Sequence, residues 1–266
     1  MTSFPTIEIS DPRFESDGLR FITAKSPALA GRVDVTVYVP ERAKTAANVP
    51  VVILLHGVYG SHWAWALKGG AHRTAARMIE AGEIPPMILA MPSDGLWGDG
   101  SGYVRHHGRD FEHWIGTELP DLLAQTDLPV TLSSPFFISG LSMGGFGALR
   151  IGALNSGRFL AISAHSSVTH LDALRRFSDE NVAAAAAPGD ASALDAILAN
   201  RDLLPALRVD CGLEDPLLED NRALHAALDQ HGIAHVYQEF PGGHDWPYWE
   251  LHLQDTLRFF ARGLVR

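Results

Sequence analysis

The chain has 266 residues, 46% of them hydrophobic, which is enough apolar material for a large core, and α/β folds of this length often form one domain. Its formal net charge is −10 and no run is rich in lysine or arginine, which disfavours nucleic acid or an anionic membrane surface as a partner. A single cysteine, Cys211, excludes an intramolecular disulfide framework.

The amino-terminal segment indicates no targeting sequence. MTSFPTIEISDPRFESDG carries acids and prolines where a secretory signal has a basic end followed by an apolar stretch. No apolar run in the chain approaches the ~18 residues of a membrane-spanning helix. We therefore expect a soluble, cytoplasmic protein without a membrane segment.

The first predicted elements are two strands. LRFITA and RVDVTVYVP alternate apolar and polar residues, and the loop KSPALAG between them carries proline and glycine, so they predict a hairpin. Six short, continuously apolar runs follow. They are VVILLHG, MILAMPS, FFISGLS, FLAISAHS, LRVDCG and AHVYQEFPG. Strands that are apolar on both faces belong in a sheet covered by helices on both sides.

Helix-length segments separate these apolar runs. In chain order they are WAWALKGGAHRTAARMIEAG, DFEHWIGTELPDLLAQ, GGFGALRIGALN, DNRALHAALDQHG and WPYWELHLQDTLRFFARGL. Gly69 and Gly70 weaken the first of these helices. The alternation of strand and helix predicts an α/β fold with a mostly parallel central sheet.

Residues 168–204 break this alternation. An alanine run, Val182–Ala187, leads into Pro188-Gly189, and the segment predicts two or three short helices inserted between sheet strands. Two alternatives stay open, a cover over a pocket and a solvated crossover without a functional part. Residues 1–266 otherwise predict one domain.

One serine lies between glycines where a predicted strand passes into a predicted helix. Gly140-Leu141-Ser142-Met143-Gly144 matches G-x-S-x-G in the strand–turn–helix context that a nucleophile elbow requires. The glycines relieve close contacts of a tight turn, and the following helix amino terminus favours developing negative charge. Ser142 is therefore the candidate nucleophile.

A serine hydroxyl needs a base, and His244 is the candidate. It lies in FPGGHDWPYW, between the last predicted strand and the carboxyl-terminal helix, where two glycines free the loop to return across the sheet. The alternative is a turn histidine without a role.

The third member should be an acid at the end of a strand between these two residues. The segment LRVDCGLEDPLLEDN offers Asp210, Glu214, Asp215, Glu219 and Asp220. Asp210 lies inside the apolar run, and Glu219 and Asp220 fit the first turn of the next helix. We predict Asp215, in the loop itself, with Glu214 as the alternative. The order Ser, Asp, His agrees with the α/β-hydrolase arrangement.

Two backbone N–H groups should stabilise the oxyanion. The residue after the nucleophile, Met143, is one candidate, and Val58 in LLHGVYGSHWAW is the other. Gly57 or Tyr59 would serve after a small shift of that loop. Donors of this kind are each typically worth ~10²–10³ in turnover.

With these residues the chain resembles the esterase family of α/β-hydrolases that contains esterase D, tributyrin-type esterases and the antigen 85 mycolyltransferases. The segments that carry the resemblance run from about residue 50 to the carboxyl terminus: LLHGVYGSHWAW, MPSDGLW with GYV, WIGTELPDLL, ISGLSMGGFGALRIG, CGLEDPLLEDNRAL and FPGGHDWPYW. The acid and histidine motifs are closer to bacterial tributyrin-type esterases than to esterase D.

The resemblance implies an α/β-hydrolase fold with Ser142 as nucleophile, Asp215 as acid, His244 as base, and oxyanion donors at Val58 and Met143. It implies a serine carboxylesterase that hydrolyses small or short-chain acyl esters through an acyl-enzyme. The alternatives are an acyltransferase of the antigen 85 type, an S-formylglutathione hydrolase-like thioesterase, and a non-catalytic binding protein with this fold.

Other features point to no cofactor. GLWGDGSG lacks the lysine of a P-loop, so it predicts a flexible loop, with Trp97 as a candidate substrate-binding wall of the pocket. Two groups of histidines could suggest metal ligands, but neither predicts a metal site. The first group lacks the i, i+4 spacing that aims two imidazoles at one ion, and Gly232 interrupts the second. The groups are His106, His107 and His113, and His225, His231 and His235. The predicted partner is a small-molecule ester.

Overall fold

A computed structural model describes residues 1–187 and 189–264 of the chain. Its strands are β1 Ile7–Ile9, β2 Leu19–Ser26, β3 Gly31–Tyr38, β4 Val51–Leu55, β5 Ile88–Pro92, β6 Arg105–His106, β7 Arg109–Asp110, β8 Phe136–Leu141, β9 Phe159–His165, β10 Ala206–Gly212 and β11 Val236–Phe240. All but β6 and β7 form one nine-stranded sheet, and those two pair as a separate short ribbon.

The sheet has the order β1-β2-β3-β5-β4-β8-β9-β10-β11. The strands β4, β5, β8, β9, β10 and β11 are mutually parallel, and the predicted hairpin of β2 and β3 is antiparallel, as is the pairing of β3 with β5. The mostly parallel sheet and the hairpin are therefore confirmed. The short strand β1, which pairs with β2, was not predicted.

Helices lie between the parallel strands, and a long helix follows the last of them. The helices are α1 Ala64–Leu67, α2 Ala71–Glu80, α3 Phe111–His113, α4 Leu119–Leu123, α5 Met143–Leu154, α6 Val182–Ala185, α7 Ala193–Ala199, α8 Leu218–Gln230 and α9 Trp246–Gly263. A π-helical turn, Trp114–Glu118, joins α3 to α4, and 3-10 turns cover Glu41–Ala43, Leu171–Arg176 and Arg201–Leu203. No helix of the described residues has the length and apolar character that crossing a bilayer requires.

The two faces of the sheet carry separate apolar cores. In β4, Val51, Ile53 and Leu55 belong to the core that α4, α5, α7 and α8 cover. Val52 and Leu54, which point the other way, belong to the core under α2 and α9. This alternation is why the strand is apolar at every position and why helices cover both faces of the sheet.

The segment predicted as one helix over residues 63–82 is broken into α1 and α2. Gly70 has a φ of +56°, which ends the first helix, because side chains rarely adopt this backbone conformation. A Cβ on Gly69 would lie 2.8 Å from the Trp246 ring, so α9 approaches this turn closely. The break therefore has both a conformational and a packing cause.

Residues 168–204 contain four short helical segments, two α-helical and two 3-10, where two or three helices were predicted. Pro188 in this segment lies outside the described residues. The Asp190 carboxylate anchors the segment, because it lies 2.9 Å from the buried guanidinium of Arg150 in α5 and 3.0 Å from that of Arg105. The segment thus connects β9 to β10 and stays tied to the body of the fold.

Candidate active site

Ser142 occupies a strained turn between β8 and α5, at the carboxyl edge of the sheet. Its φ is +55° and its ψ is −120°, a conformation that costs a non-glycine residue of order 1–3 kcal/mol. A Cβ on Gly140 would lie 2.2 Å from the Gly144 carbonyl oxygen, and one on Gly144 would lie 2.3 Å from the Leu55 oxygen. Both glycines of the motif are therefore required by close backbone contacts.

The structure brings the three predicted side chains together. The Ser142 Oγ lies 3.0 Å from His244 Nε2, and His244 Nδ1 lies 2.9 Å from Asp215 Oδ2. The serine follows β8, the acid lies in the loop after β10 and the histidine lies in the loop after β11. Parallel strands end at one edge of the sheet, and this is why residues more than 100 positions apart in the chain meet here.

Asp215 has the environment of an ionised carboxylate. Its side chain is buried, which by itself would raise its pKa. The hydrogen bond and positive charge of His244, together with the hydrogen bond that the Leu217 N–H donates to Oδ1 at 2.8 Å, outweigh burial and lower the pKa of Asp215 below its usual value. The carboxylate can therefore fix the histidine tautomer whose Nε2 faces the serine.

The other acids of the same segment are engaged elsewhere. Glu214, the alternative third member, accepts a hydrogen bond from the Gly242 N–H at 2.5 Å. Glu219 and Asp220 lie in the first turn of α8, as predicted, and form ion pairs with Arg222 and Arg176. None of these three carboxylates is hydrogen-bonded to His244, whereas Asp215 is.

Asp210 belongs to a second, fully buried polar network between β9, β10 and α9. One carboxylate oxygen forms an ion pair with Arg208 and lies 2.8 Å from His165 Nδ1, and the other accepts a hydrogen bond from the Tyr248 hydroxyl at 2.7 Å. His165 Nε2 lies 2.9 Å from Thr256 Oγ1. Burial would raise the pKa of Asp210, but the charges of His165 and Arg208 and these hydrogen bonds lower it strongly.

The two predicted oxyanion donors have neighbouring side chains, with Met143 directly after Ser142 and Val58 in the loop after β4. A Cβ on Gly100 would lie 2.5 Å from the Met143 sulfur and 3.4 Å from Val58 Cγ1. The side chains of Met143 and Val58 therefore lie close to each other beside Gly100. Met143 is the first residue of α5, where an N–H has no acceptor within the helix. The N–H of Tyr59, an alternative donor, is bonded to the Asp99 oxygen at 2.8 Å, which favours Val58.

A cleft of about 420 Å³ opens over Ser142 and His244. Aromatic rings form much of its wall, contributed by Trp63, Phe177, Trp246 and Trp249. The structure does not bring Trp97 to this wall. That ring instead packs under the Arg109 guanidinium, with 4.2 Å from the guanidinium carbon to the ring centroid.

Phe177 contacts the proposed base, and the sequence did not indicate it as a site residue. It follows the 3-10 turn Leu171–Arg176 in the inserted segment, and its ring stacks on His244 with centroids 4.7 Å apart. The Tyr59 hydroxyl donates a hydrogen bond of 3.0 Å to the Phe177 carbonyl oxygen and so joins the insertion to the oxyanion loop. No local motif marks Phe177, because its role depends on a contact 67 positions away in the chain.

Comparison of the chain with known proteins identifies its family. Residues 26–260 match the family model described as "Putative esterase". An acetyl esterase from Caldicellulosiruptor saccharolyticus is 26% identical over 235 residues, which are 81% of this chain and 84% of that protein. A ferulic acid esterase structure shares 26% identity and a TM-score of 0.77, covering 98% of this chain and 99% of that one.

The fold recurs at lower sequence identity. The structure of an S-formylglutathione hydrolase from Staphylococcus aureus superimposes with a TM-score of 0.77 at 18% identity, over 96% of this chain and 99% of that one. At this identity the likeness concerns the fold. Because the family model spans most of the chain and the fold agrees with it, the chain belongs to the esterase family of α/β-hydrolases and is a hydrolytic enzyme.

Proposed function

We propose that the chain is a serine carboxylesterase that hydrolyses small or short-chain acyl esters through an acyl-enzyme intermediate. One observation carries this proposal. Ser142 Oγ, His244 Nε2, His244 Nδ1 and Asp215 Oδ2 form a continuous relay with contacts of 3.0 and 2.9 Å. The geometry matches the roles of nucleophile, base and orienting acid that ester hydrolysis requires.

In the first half-reaction, Ser142 Oγ attacks the ester carbonyl carbon while its proton passes to His244 Nε2. The carbonyl oxygen becomes an oxyanion, which the Val58 and Met143 N–H groups stabilise. Asp215 stabilises the imidazolium that forms. When the tetrahedral intermediate collapses, the bond to the alcohol oxygen breaks and the alcohol leaves with the proton from His244.

In the second half-reaction, water attacks the acyl carbon and gives its proton to His244 Nε2. Collapse of the second tetrahedral intermediate breaks the bond to Ser142 Oγ, which recovers its proton from His244 as the carboxylic acid leaves. All protons pass through one imidazole, so no cofactor takes part in the scheme.

The cleft supports a small substrate with an apolar acyl or alcohol group. Its volume of about 420 Å³ lies at the lower end of the range for small-molecule sites, and the aromatic rings of its wall offer flat apolar surfaces. Similarity to an acetyl esterase and to a ferulic acid esterase supports acetyl and aromatic acyl esters as the first substrates to compare.

The proposal is tested with Ser142→Ala on p-nitrophenyl acetate. We expect turnover near the uncatalysed background, since loss of the serine in subtilisin, a worked example of this chemistry, costs ~10⁶ in turnover. Ser133→Ala, at an exposed serine, is the matched control and should keep full activity. A Ser142→Ala enzyme with most of its activity would contradict the proposal.

A substrate panel then defines specificity. Acetyl, butyryl, feruloyl and S-formylglutathione substrates are compared by kcat/KM, each with and without an added acceptor alcohol. Hydrolysis that dominates over transfer supports the esterase. Dominant acyl transfer, or a preference for the thioester of more than tenfold, contradicts the substrate assignment but leaves the relay intact.

A further inference from the structure

Two histidines meet at the end of the sheet opposite the active site. His225 lies in α8, and His235 lies directly before β11, whose far end leads to the active-site loop. His225 Nδ1 is 2.8 Å from His235 Nε2, and Asp229 lies one helical turn after His225. One nitrogen from each ring and one Asp229 carboxylate oxygen all lie within 4.8 Å of one another.

Both imidazole rings are held in orientation by further contacts. His235 Nδ1 is 2.8 Å from the Ile233 carbonyl oxygen. Because a carbonyl only accepts hydrogen bonds, the proton of the neutral ring lies on Nδ1, and Nε2 bears the lone pair that faces His225. The His225 ring stacks on Tyr237, with centroids 4.4 Å apart and planes at 13°.

We propose that His225, His235 and Asp229 bind a zinc ion. Two imidazole nitrogens and one carboxylate oxygen form a donor set that suits zinc, whereas calcium and magnesium prefer oxygen ligands. Ligands with metal bonds of about 2.0–2.2 Å lie roughly 3.4 Å apart in a tetrahedron. To bind the ion, His225 Nδ1 and His235 Nε2 must move slightly farther apart than their present 2.8 Å. The Asp229 side chain, which is 64% exposed, must move toward the two rings.

The local charge agrees with a cation at this point. Without metal, the His225 ring donates its Nδ1 proton to His235 Nε2, and the ion takes the place of that proton. The Glu239 carboxylate, which is paired with Arg222 and accepts a hydrogen bond from the Tyr237 hydroxyl, also interacts electrostatically with His225. Water completes the fourth position of the ion.

Bound zinc would join α8 to the loop before β11, which is the edge strand of the sheet. An ion that binds only the folded chain raises its stability by mass action. The site is separated from His244 by the length of β11, so zinc binding is independent of the esterase mechanism and of its test.

The experiment is zinc titration of the full chain, without an affinity tag, by isothermal calorimetry. We expect a site of 1:1 stoichiometry whose affinity falls at least tenfold in His225→Phe and in His235→Ala. Phenylalanine keeps a ring to stack on Tyr237, which separates ligand loss from unfolding. His231→Ala, at an exposed histidine of the same loop, is the matched control and should bind as the wild type does.

Thermal unfolding provides the second readout. Zinc should raise the unfolding temperature of the wild type and of His231→Ala, and should leave that of His225→Phe unchanged. If zinc bound at other histidines, such as His244, then His225→Phe and His235→Ala would still bind it. Binding at those histidines would therefore not produce the expected loss of affinity. The proposal is overturned if the wild type does not bind zinc at micromolar concentrations, or if His225→Phe and His235→Ala bind zinc as tightly as the wild type.

Discussion

The imidazole of His244 stacks on the phenyl ring of Phe177, with their planes at 18° and their centroids 4.7 Å apart. Trp249 meets the same imidazole edge-on at 5.0 Å. The ring that is proposed to carry the protons is thus fixed by aromatic contacts as well as by Asp215. The face of an aromatic ring also attracts a cation, so Phe177 favours the imidazolium that forms in each half-reaction.

This contact predicts that Phe177→Ala lowers kcat on p-nitrophenyl acetate about threefold to tenfold. The estimate follows from the roughly 0.5–1.5 kcal/mol that an aromatic pair contributes beyond its buried area. Phe177→Tyr should restore turnover, because it keeps the ring. The unfolding temperature should change little, since Phe177 is only half-buried.

Trp97→Ala is the control for Phe177, because Trp97 is also aromatic and partly exposed but does not line the cleft. Its turnover should equal that of the wild type. The positioning role would be contradicted if Phe177→Ala left kcat unchanged. It would also be contradicted if Phe177→Ala and Phe177→Tyr lowered kcat equally.

The strained backbone at Ser142 predicts an unusual order of stabilities. Ser142→Gly should have a free energy of unfolding about 1 kcal/mol higher than Ser142→Ala, because glycine relieves a φ of +55° that alanine keeps. Urea unfolding measures this difference. Ala223→Gly, at an exposed position of α8, is the control and should show the opposite sign, with the glycine variant about 1 kcal/mol less stable than the wild type, which has alanine there. An alanine variant as stable as Ser142→Gly would contradict the strain.

The buried network around Asp210 predicts acid sensitivity of the fold. The pKa of this carboxyl is lowered from 3.8 in the folded chain, so its ionised form adds stability above about pH 4, and that contribution is lost as the pH falls further. Asp210→Asn leaves Arg208 buried without its partner and should lower the free energy of unfolding at pH 7 by roughly 3–5 kcal/mol.

Asp202→Asn, at an exposed carboxyl, is the control and should stay within about 0.5 kcal/mol of the wild type. Urea unfolding at pH 7, 5, 4 and 3.5 tests both variants. Below pH 4 the stability of Asp210→Asn should fall less steeply than that of the wild type. Equal slopes for the two chains would contradict the assignment of this acid sensitivity to Asp210.

Local sequence patterns were sufficient to predict most of the sheet. The runs that became β4, β5, β8 and β9 are apolar at nearly every position, which is the pattern of strands covered on both faces. The edge strand β11 is more polar and only partly buried. The sequence predicts Ser142, Asp215 and His244 as site residues because each follows a predicted strand, within a short glycine- or proline-containing loop. For Ser142 the G-x-S-x-G motif adds to this position.

Contacts between distant segments could not be read in the same way. Phe177 lies in an insertion without a motif, and Trp97 lies on a loop whose direction depends on its packing against Arg109. The positions of His225 and His235 along the chain, with Gly232 between them, predict no metal site. A pairing across the turn between α8 and β11 brings their rings together.

The most direct test of the proposed esterase is the reaction of the folded chain with a fluorophosphonate, followed by peptide mass spectrometry. We expect one phosphonyl adduct per chain, located on the peptide that contains Ser142, and loss of rapid labelling in His244→Ala. A correctly folded chain that stays unlabelled, or that carries its adduct on another serine, would contradict the proposed role of Ser142.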